Sequence, residues 1–186
     1  MGEHAPKRMT VDEFLAWEDG SDTRYELVDG AIRAMAPPGG AHGTVAANAT
    51  ALIHAALRSR RPCRPQAEAG VRINDQTWWQ ADIAVTCKPP APEIVEPLLV
   101  IEVLSPHTRA HDLGRKLDDY KTLPSVQEIW MIDSEKRWAQ VWRRGDEGRL
   151  GQDLVGSAVF ESGVLQAFVP LDELYADSGL RASFRG

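Results

Sequence analysis

The sequence is short of cysteine and has no long apolar run. Cys63 and Cys87 are the only cysteines in 186 residues, too few for the disulfide framework of a small secreted domain or for a zinc cage. The best apolar stretch, Leu98–Ile101, stops at Glu102, far below the roughly 18–20 residues that a membrane-crossing helix needs. Met1–Thr10 carries no apolar core of a secretory signal. Internal repeats and long low-complexity segments are absent. A cytoplasmic protein without a membrane segment is the expectation. Basic residues are outnumbered, 21 Lys+Arg against 27 Asp+Glu, for a net charge of −6. That balance excludes a general nucleic-acid coat, because such proteins bind phosphate through clustered Lys and Arg. Local basic clusters remain at Arg58, Arg60, Arg61 and Arg64, and at Arg137, Arg143 and Arg144. An acidic protein that holds metal ions can still meet phosphates through the metals.

What is present is an ordinary globular composition, 43% hydrophobic and 26% charged. The length suits one domain, expected over 9–176, between a flexible 1–8 and a tail at 177–186. Thr10 and Glu13 have capping-box spacing ahead of Val11, Phe14 and Leu15. Thr23–Val28 and Ala31–Met35 flank Asp29-Gly30, a strong hairpin signal. Gly43–Arg61 reads as the longest helix, ended by Pro62. Strands are expected at Arg64–Glu68, Val71–Asn74, Trp78–Cys87 and Leu98–Leu104. The last is apolar on both faces apart from Glu102, as in a central strand. A helix over His111–Leu123, strands at Gln127–Asp133 and Trp138–Arg143, and a polar turn at 146–151 follow. Ala158–Phe160, Val164–Phe168 and a short Leu171–Tyr175 helix complete the chain. This order predicts an α/β or α+β domain, a mixed central sheet flanked by helices.

Two carboxylates stand in apolar strands. Asp82 is the one charge in Trp78–Cys87, and Glu102 interrupts Leu98–Leu104. A buried, unpaired carboxylate costs several kcal/mol, so Glu102 needs a cation, a metal or a raised pKa. If adjacent strands place the two acids side by side, their repulsion favours a divalent cation between them. Oxygen ligands suit Mg²⁺, and such an ion can promote phosphodiester hydrolysis. An ion pair with arginine is the bland alternative for either acid. Lys116 shares a helical face with Asp112 and Tyr120 at i, i+4 spacing; it is either a solvated lysine or a cation for the reaction. Glu26 falls opposite Arg33 in the hairpin, as a cross-strand ion pair or as part of a site. His42 opens the long helix, whose dipole favours its neutral form, and could contact phosphate. His107 and His111 have helical spacing but no third ligand for zinc. Gly39-Gly40 lacks the spacing of a phosphate-binding loop.

The stretches Met9-Thr-Val-Asp-Glu-Phe-Leu15, Arg24-Tyr-Glu-Leu-Val-Asp-Gly30, Gln80-Ala-Asp-Ile-Ala-Val85, Leu99-Val-Ile-Glu-Val-Leu-Ser-Pro106, Asp112-Leu-Gly-Arg-Lys116 with Tyr120, and Ile129-Trp-Met-Ile-Asp133 occur in this order. Together they resemble the Uma-type restriction endonucleases, a branch of the PD-(D/E)XK nuclease superfamily. The resemblance implies a restriction-endonuclease-like core that binds Mg²⁺ or Mn²⁺ and cuts DNA, with a homodimer expected. Asp82 matches the motif aspartate and Glu102 the motif acid, with the Val103 carbonyl as a further metal ligand. The superfamily's usual lysine lies two residues past the acid, where this chain has Leu104; Lys116 on the next helix takes its place. Glu26 matches the early Tyr-Glu-Leu glutamate, and His42 a histidine after the Pro-rich loop. Ala81 departs from the family's usual proline and touches backbone shape rather than chemistry.

Two functions follow. One is a metal-dependent DNA endonuclease with Asp82, Glu102, Lys116 and Glu26 in its machinery. The other is a catalytically inactive nuclease-fold module for DNA binding or dimerisation. A small-molecule phosphodiesterase on the same site is a weaker third.

Overall fold

A computed structural model describes residues 8–37, 39–91, 93–106, 108–145 and 148–181. Helix α1 (Val11–Leu15) starts on the expected capping box. Thr10 Oγ1 accepts the Glu13 N–H at 3.2 Å, and Glu13 Oε2 accepts the Thr10 N–H at 2.9 Å. Strands β1 (Tyr25–Val28) and β2 (Ala31–Ala34) form the hairpin, Val28 opposite Ala31. Asp29 and Gly30 both have positive φ, 48° and 80°, the backbone that lets a two-residue loop follow the strand twist. Helix α2 (Gly40–Ala56) buries Val45, Ala49 and Ile53 at i, i+4 and i+8.

The chain continues through β3 (Arg64–Asn74), β4 (Thr77–Thr86), β5 (Leu99–Leu104) and the short α3 (Arg109–His111). A π-helical stretch, Asp112–Lys116, runs straight into α4 (Leu117–Thr122). Then come β6 (Glu128–Asp133), β7 (Trp138–Gly145), β8 (Gly148–Val155), β9 (Val159–Ser162), β10 (Ala167–Pro170) and α5 (Leu171–Leu174).

The main sheet has the order β2-β1-β4-β5-β6-β7-β8 with β3 paired to β4, and β9 and β10 form a separate pair. Only β5 and β6 run parallel among these neighbours. A parallel pair needs a crossover, and the helical segment from Arg109 to Thr122 supplies it. Every residue of β5 and β6 is buried, because helices cover both faces. On one face α2 and α5 pack Val45, Ile53, Leu171 and Leu174 against Ile83 and Leu99. On the other, Leu117 and Tyr120 of α4 meet Val100 and Met131. This is the mixed α+β architecture expected. Among the described residues no helix is long and apolar enough to cross a membrane.

Several features differ from expectation. The strand expected at Val164–Phe168 starts only at Ala167, because residues 164–166 form a turn that ends with Gln166 at a positive φ of 53°. The segments Arg64–Glu68 and Val71–Asn74 are one strand: Glu68 takes a positive φ of 50°, yet the pairing with β4 carries on past it in the same register. Helix α2 ends at Ala56 rather than Arg61, leaving a turn before Pro62. Residues 148–155, read in part as a polar turn, form the edge strand β8 paired residue by residue with β7; Asp146 and Glu147 lie outside the described residues. Cys63 and Cys87 form a disulfide. The β3–β4 register pairs Arg64 with Thr86, so the next residues outward are the two cysteines. The bond closes one end of that hairpin, while the core itself is apolar packing.

Candidate active site

Strands β4 and β5 stay paired as far as Ile83 opposite Ile101. The next residues in that register are Asp82 and Glu102. There the strands part, and the ladder is completed by a side chain: Asp82 Oδ2 accepts the Val103 N–H at 2.7 Å. The same oxygen lies 3.3 Å from His42 Nε2, brought in by the first turn of α2. No hydrogen bond reaches Asp82 Oδ1 from the described residues.

Glu102 is buried on the α4 side of the sheet. Its Oε1 accepts the Tyr120 O–H at 2.6 Å and a hydrogen bond from Lys116 Nζ at 3.3 Å. Its Oε2 accepts none from the described residues. Glu128 on the adjacent strand provides a contrast. It is as deeply buried, but Oε2 accepts from Trp130 Nε1 and Ser162 Oγ, and Oε1 from the backbone N–H groups of Gly163 and Val164. Glu128 is therefore a saturated structural anchor, whereas Glu102 keeps an oxygen in hand.

Lys116 is buried among acids. Its Nζ lies 2.7 Å from Glu26 Oε1, 3.3 Å from Glu102 Oε1 and 3.8 Å from Asp112 Oδ1. It also donates to the Gln80 carbonyl at 3.3 Å. Glu26 Oε1 in turn accepts the Gln80 N–H at 3.2 Å. Burial works against the ammonium, but the charges of Glu102, Glu26 and Asp112 outweigh it and hold its pKa well above the ordinary lysine value. Glu102 moves the other way for a carboxyl. Burial pushes its pKa far up and Asp82 and Asp112 add to this, against the pull of Lys116 and Tyr120.

Glu26, His42, Asp82, Glu102, Val103 and Lys116 all line one cleft of about 600 Å³. The sequence spreads these residues over five elements, Glu102 and Val103 sharing one strand; the structure brings all of them together. Three details differ. The register does place Glu26 opposite Arg33, but the carboxylate turns to Lys116 instead. Lys116 leaves a π-helical turn rather than a regular α-helix, a wider turn that recurs at functional sites. His42 has a raised pKa rather than the expected neutral bias: burial lowers it, but the hydrogen bond to Asp82 and the charge of Asp82 outweigh burial. Tyr120 stands in the sequence as a member of the Asp112–Lys116 motif and of its helical face, but nothing there signals its hydroxyl as a donor to Glu102. His107 lies outside the described residues. The ring of His111 packs edge-on against Trp79, centroids 5.1 Å apart.

A family model described as "Uma2: Putative restriction endonuclease" matches residues 11–168. The chain belongs to the Uma2 family. Within known sequences it is similar to the uncharacterized protein slr1290 of Synechocystis sp., 28% identical over 154 residues, covering 78% of this chain and 81% of that one. A second uncharacterized Synechocystis protein, sll1609, is 24% identical over 141 residues, 68% of this chain and 76% of the other. In three dimensions the Uma2 chain resembles the crystal structure of "a putative nuclease belonging to DUF820" from Anabaena variabilis. The TM-score is 0.73 at 20% identity, over 90% of this chain and 97% of that chain. The fold is restriction-endonuclease-like.

Among the described residues no three His, Cys, Asp or Glu side chains converge as a ready-made metal cage. A Mg²⁺-type ion does not require one, since it is commonly held by one or two carboxylates, with waters and substrate phosphates completing the shell. Asp82 and Glu102 fit that donor set.

Proposed function

We propose that this Uma2 protein is a divalent-metal-dependent endonuclease that hydrolyses DNA phosphodiester bonds with Mg²⁺ or Mn²⁺. One observation carries the reading: Asp82 and Glu102 stand opposite each other at the register position where the strands part, and each keeps one oxygen that accepts no hydrogen bond from the described residues. Asp82, Glu102 and the Val103 carbonyl would hold the cation. A strand residue turns its N–H and C=O to the same side, so the carbonyl of Val103 faces the gap where its N–H meets Asp82. Bound there, the cation supplies Lewis acidity toward a phosphoryl oxygen and an acidified water.

The chain's own groups then have separable tasks. Lys116 stays protonated, so it acts as a positive charge near the attacking water or the phosphoryl oxygens, not as a base. Glu26 fixes the ammonium. Tyr120 fixes Glu102 Oε1 and so aims Oε2 outward. His42 stands beside Asp82 at the start of α2, placed for a phosphate contact. In the reaction a water oxygen bonds to phosphorus, the bridging P–O bond breaks, and the leaving oxygen takes up a proton. A single functional domain over 9–176, acting in the cytoplasm as a homodimer, completes the reading.

The test is plasmid cleavage with Mg²⁺, with Mn²⁺ and with EDTA, run beside Asp82→Ala. Cutting by the parent with metal alone, lost in EDTA and in the variant, is the expected result. DNA binding without cutting under every condition would replace it with the inactive nuclease-fold module.

A further inference from the structure

The cleft has to admit a polyanion, yet its walls are acidic. Glu26, Asp82, Glu102, Asp112 and Glu135 line it against three permanent cations, Arg24, Arg33 and Lys116. Lys116 is committed to Glu26 and Glu102. Arg24 is committed to Glu68. Arg33 remains. It is exposed, lines the cleft and has no acidic partner among the described residues.

Its availability follows from the site's construction. Directly opposite residues of an antiparallel pair carry their side chains on the same face, about 4.5–5.5 Å apart at Cβ. Arg33 is opposite Glu26, so an ion pair between them would be the default. The shorter-range claim of Lys116 on Glu26, at 2.7 Å from a buried position, takes that carboxylate away. The other hairpin face, with Leu27, Tyr25 and Ile32, packs against α1, so the Arg33 face is turned toward the cleft. The guanidinium is therefore left one strand outside the catalytic cluster, on the same face. Its planar fork matches a phosphate's oxygens in two parallel hydrogen bonds.

The geometry points to Arg33 as a substrate-binding residue that grips a backbone phosphate of the DNA flanking the bond to be cut. The inference rests on the nuclease reading of the cleft. As a contact to phosphate and not to a base edge, it sets affinity and register without sequence preference.

The experiment measures binding of the full chain to a short fluorescent DNA duplex across a salt series, with Ca²⁺ in place of Mg²⁺. Each neutralised phosphate contributes about 0.9 to the slope of log affinity against log salt. Arg33→Ala is expected to weaken binding about fivefold to tenfold and to flatten that slope by about 0.9. Arg33→Lys should keep most of the slope. Arg58→Ala, an exposed arginine outside the cleft, should match the parent, as should the melting temperature and Mn²⁺ affinity of Arg33→Ala. If the parent binds duplex and Arg33→Ala binds it with the same affinity and slope, Arg33 has no such role and the nuclease reading stands. If the parent binds no DNA with or without divalent metal, both fall together.

Discussion

The carboxylate of Asp82 completes the β-ladder for Val103, accepting its N–H at 2.7 Å where β4 and β5 cease to pair. One side chain thus closes the sheet with one oxygen and offers the other to the cleft. Truncation should expose both tasks. Asp82→Ala leaves the Val103 N–H without its acceptor, which costs about 1–3 kcal/mol. For a chain of this size that is a fall in Tm of about 2–4 °C per kcal/mol. Asp82→Asn keeps an acceptor and should melt near the parent. Calorimetric titration with Mn²⁺ should show both variants weakened; parent-like Mn²⁺ affinity in either would remove Asp82 as a ligand.

Glu102→Gln should abolish divalent binding and leave the fold intact or more stable at neutral pH. The folded-state pKa of Glu102 is raised by burial and by Asp82 and Asp112. The native state therefore holds this proton more tightly than the unfolded chain. The stability attached to it is full at acid pH and is lost as pH rises from the ordinary carboxyl value through the folded one. Thermal melts of the metal-free protein across that window should show the decline in the parent and its absence in the Gln variant.

His42 titrates with the opposite chemistry and the same direction in pH. Asp82 raises its pKa, so its contribution is full below the ordinary histidine value and fades as pH rises through the raised one. The NMR midpoint of His42 should lie above the ordinary value in the metal-free parent and drop in Asp82→Asn. An unmoved midpoint would mean that the 3.3 Å approach does not persist in solution.

Lys116→Ala should lower the cleavage rate by roughly 10²–10³, the scale of one lost transition-state contact. It also strands the buried carboxylate of Glu26, and breaking a buried pair costs about 3–5 kcal/mol. The double variant Lys116→Ala/Glu26→Gln should recover much of the melting temperature while remaining slow. Recovery of rate along with stability would show that the lysine serves folding alone.

Tyr120→Phe removes a single hydroxyl, the donor to Glu102 Oε1 at 2.6 Å, and keeps the ring in the core. Loss of a group that orients a metal ligand typically weakens affinity 10–100-fold. Mn²⁺ titration beside a melt separates this from unfolding: affinity should fall with Tm changed little. Unchanged affinity would leave Tyr120 as packing only.

Local signals were legible in the residues. The capping box at Thr10, the Asp29-Gly30 turn, the buried strand from Leu99 to Leu104 and its misplaced Glu102 each depend on neighbours a few positions away. So does the isolation of Asp82, and the ordered motifs were enough to name the family. Partner choice was not legible. Glu26 faces Arg33 by register yet binds Lys116, far along the chain. The Cys63–Cys87 bond, the pairing of β8 and the π-helical turn under Lys116 are likewise absent from any short window. The difference is physical. A turn or cap is decided by backbone sterics within one segment. Which buried carboxylate holds which cation is decided by desolvation and distance, and these exist only once the sheet has closed and α4 has packed upon it.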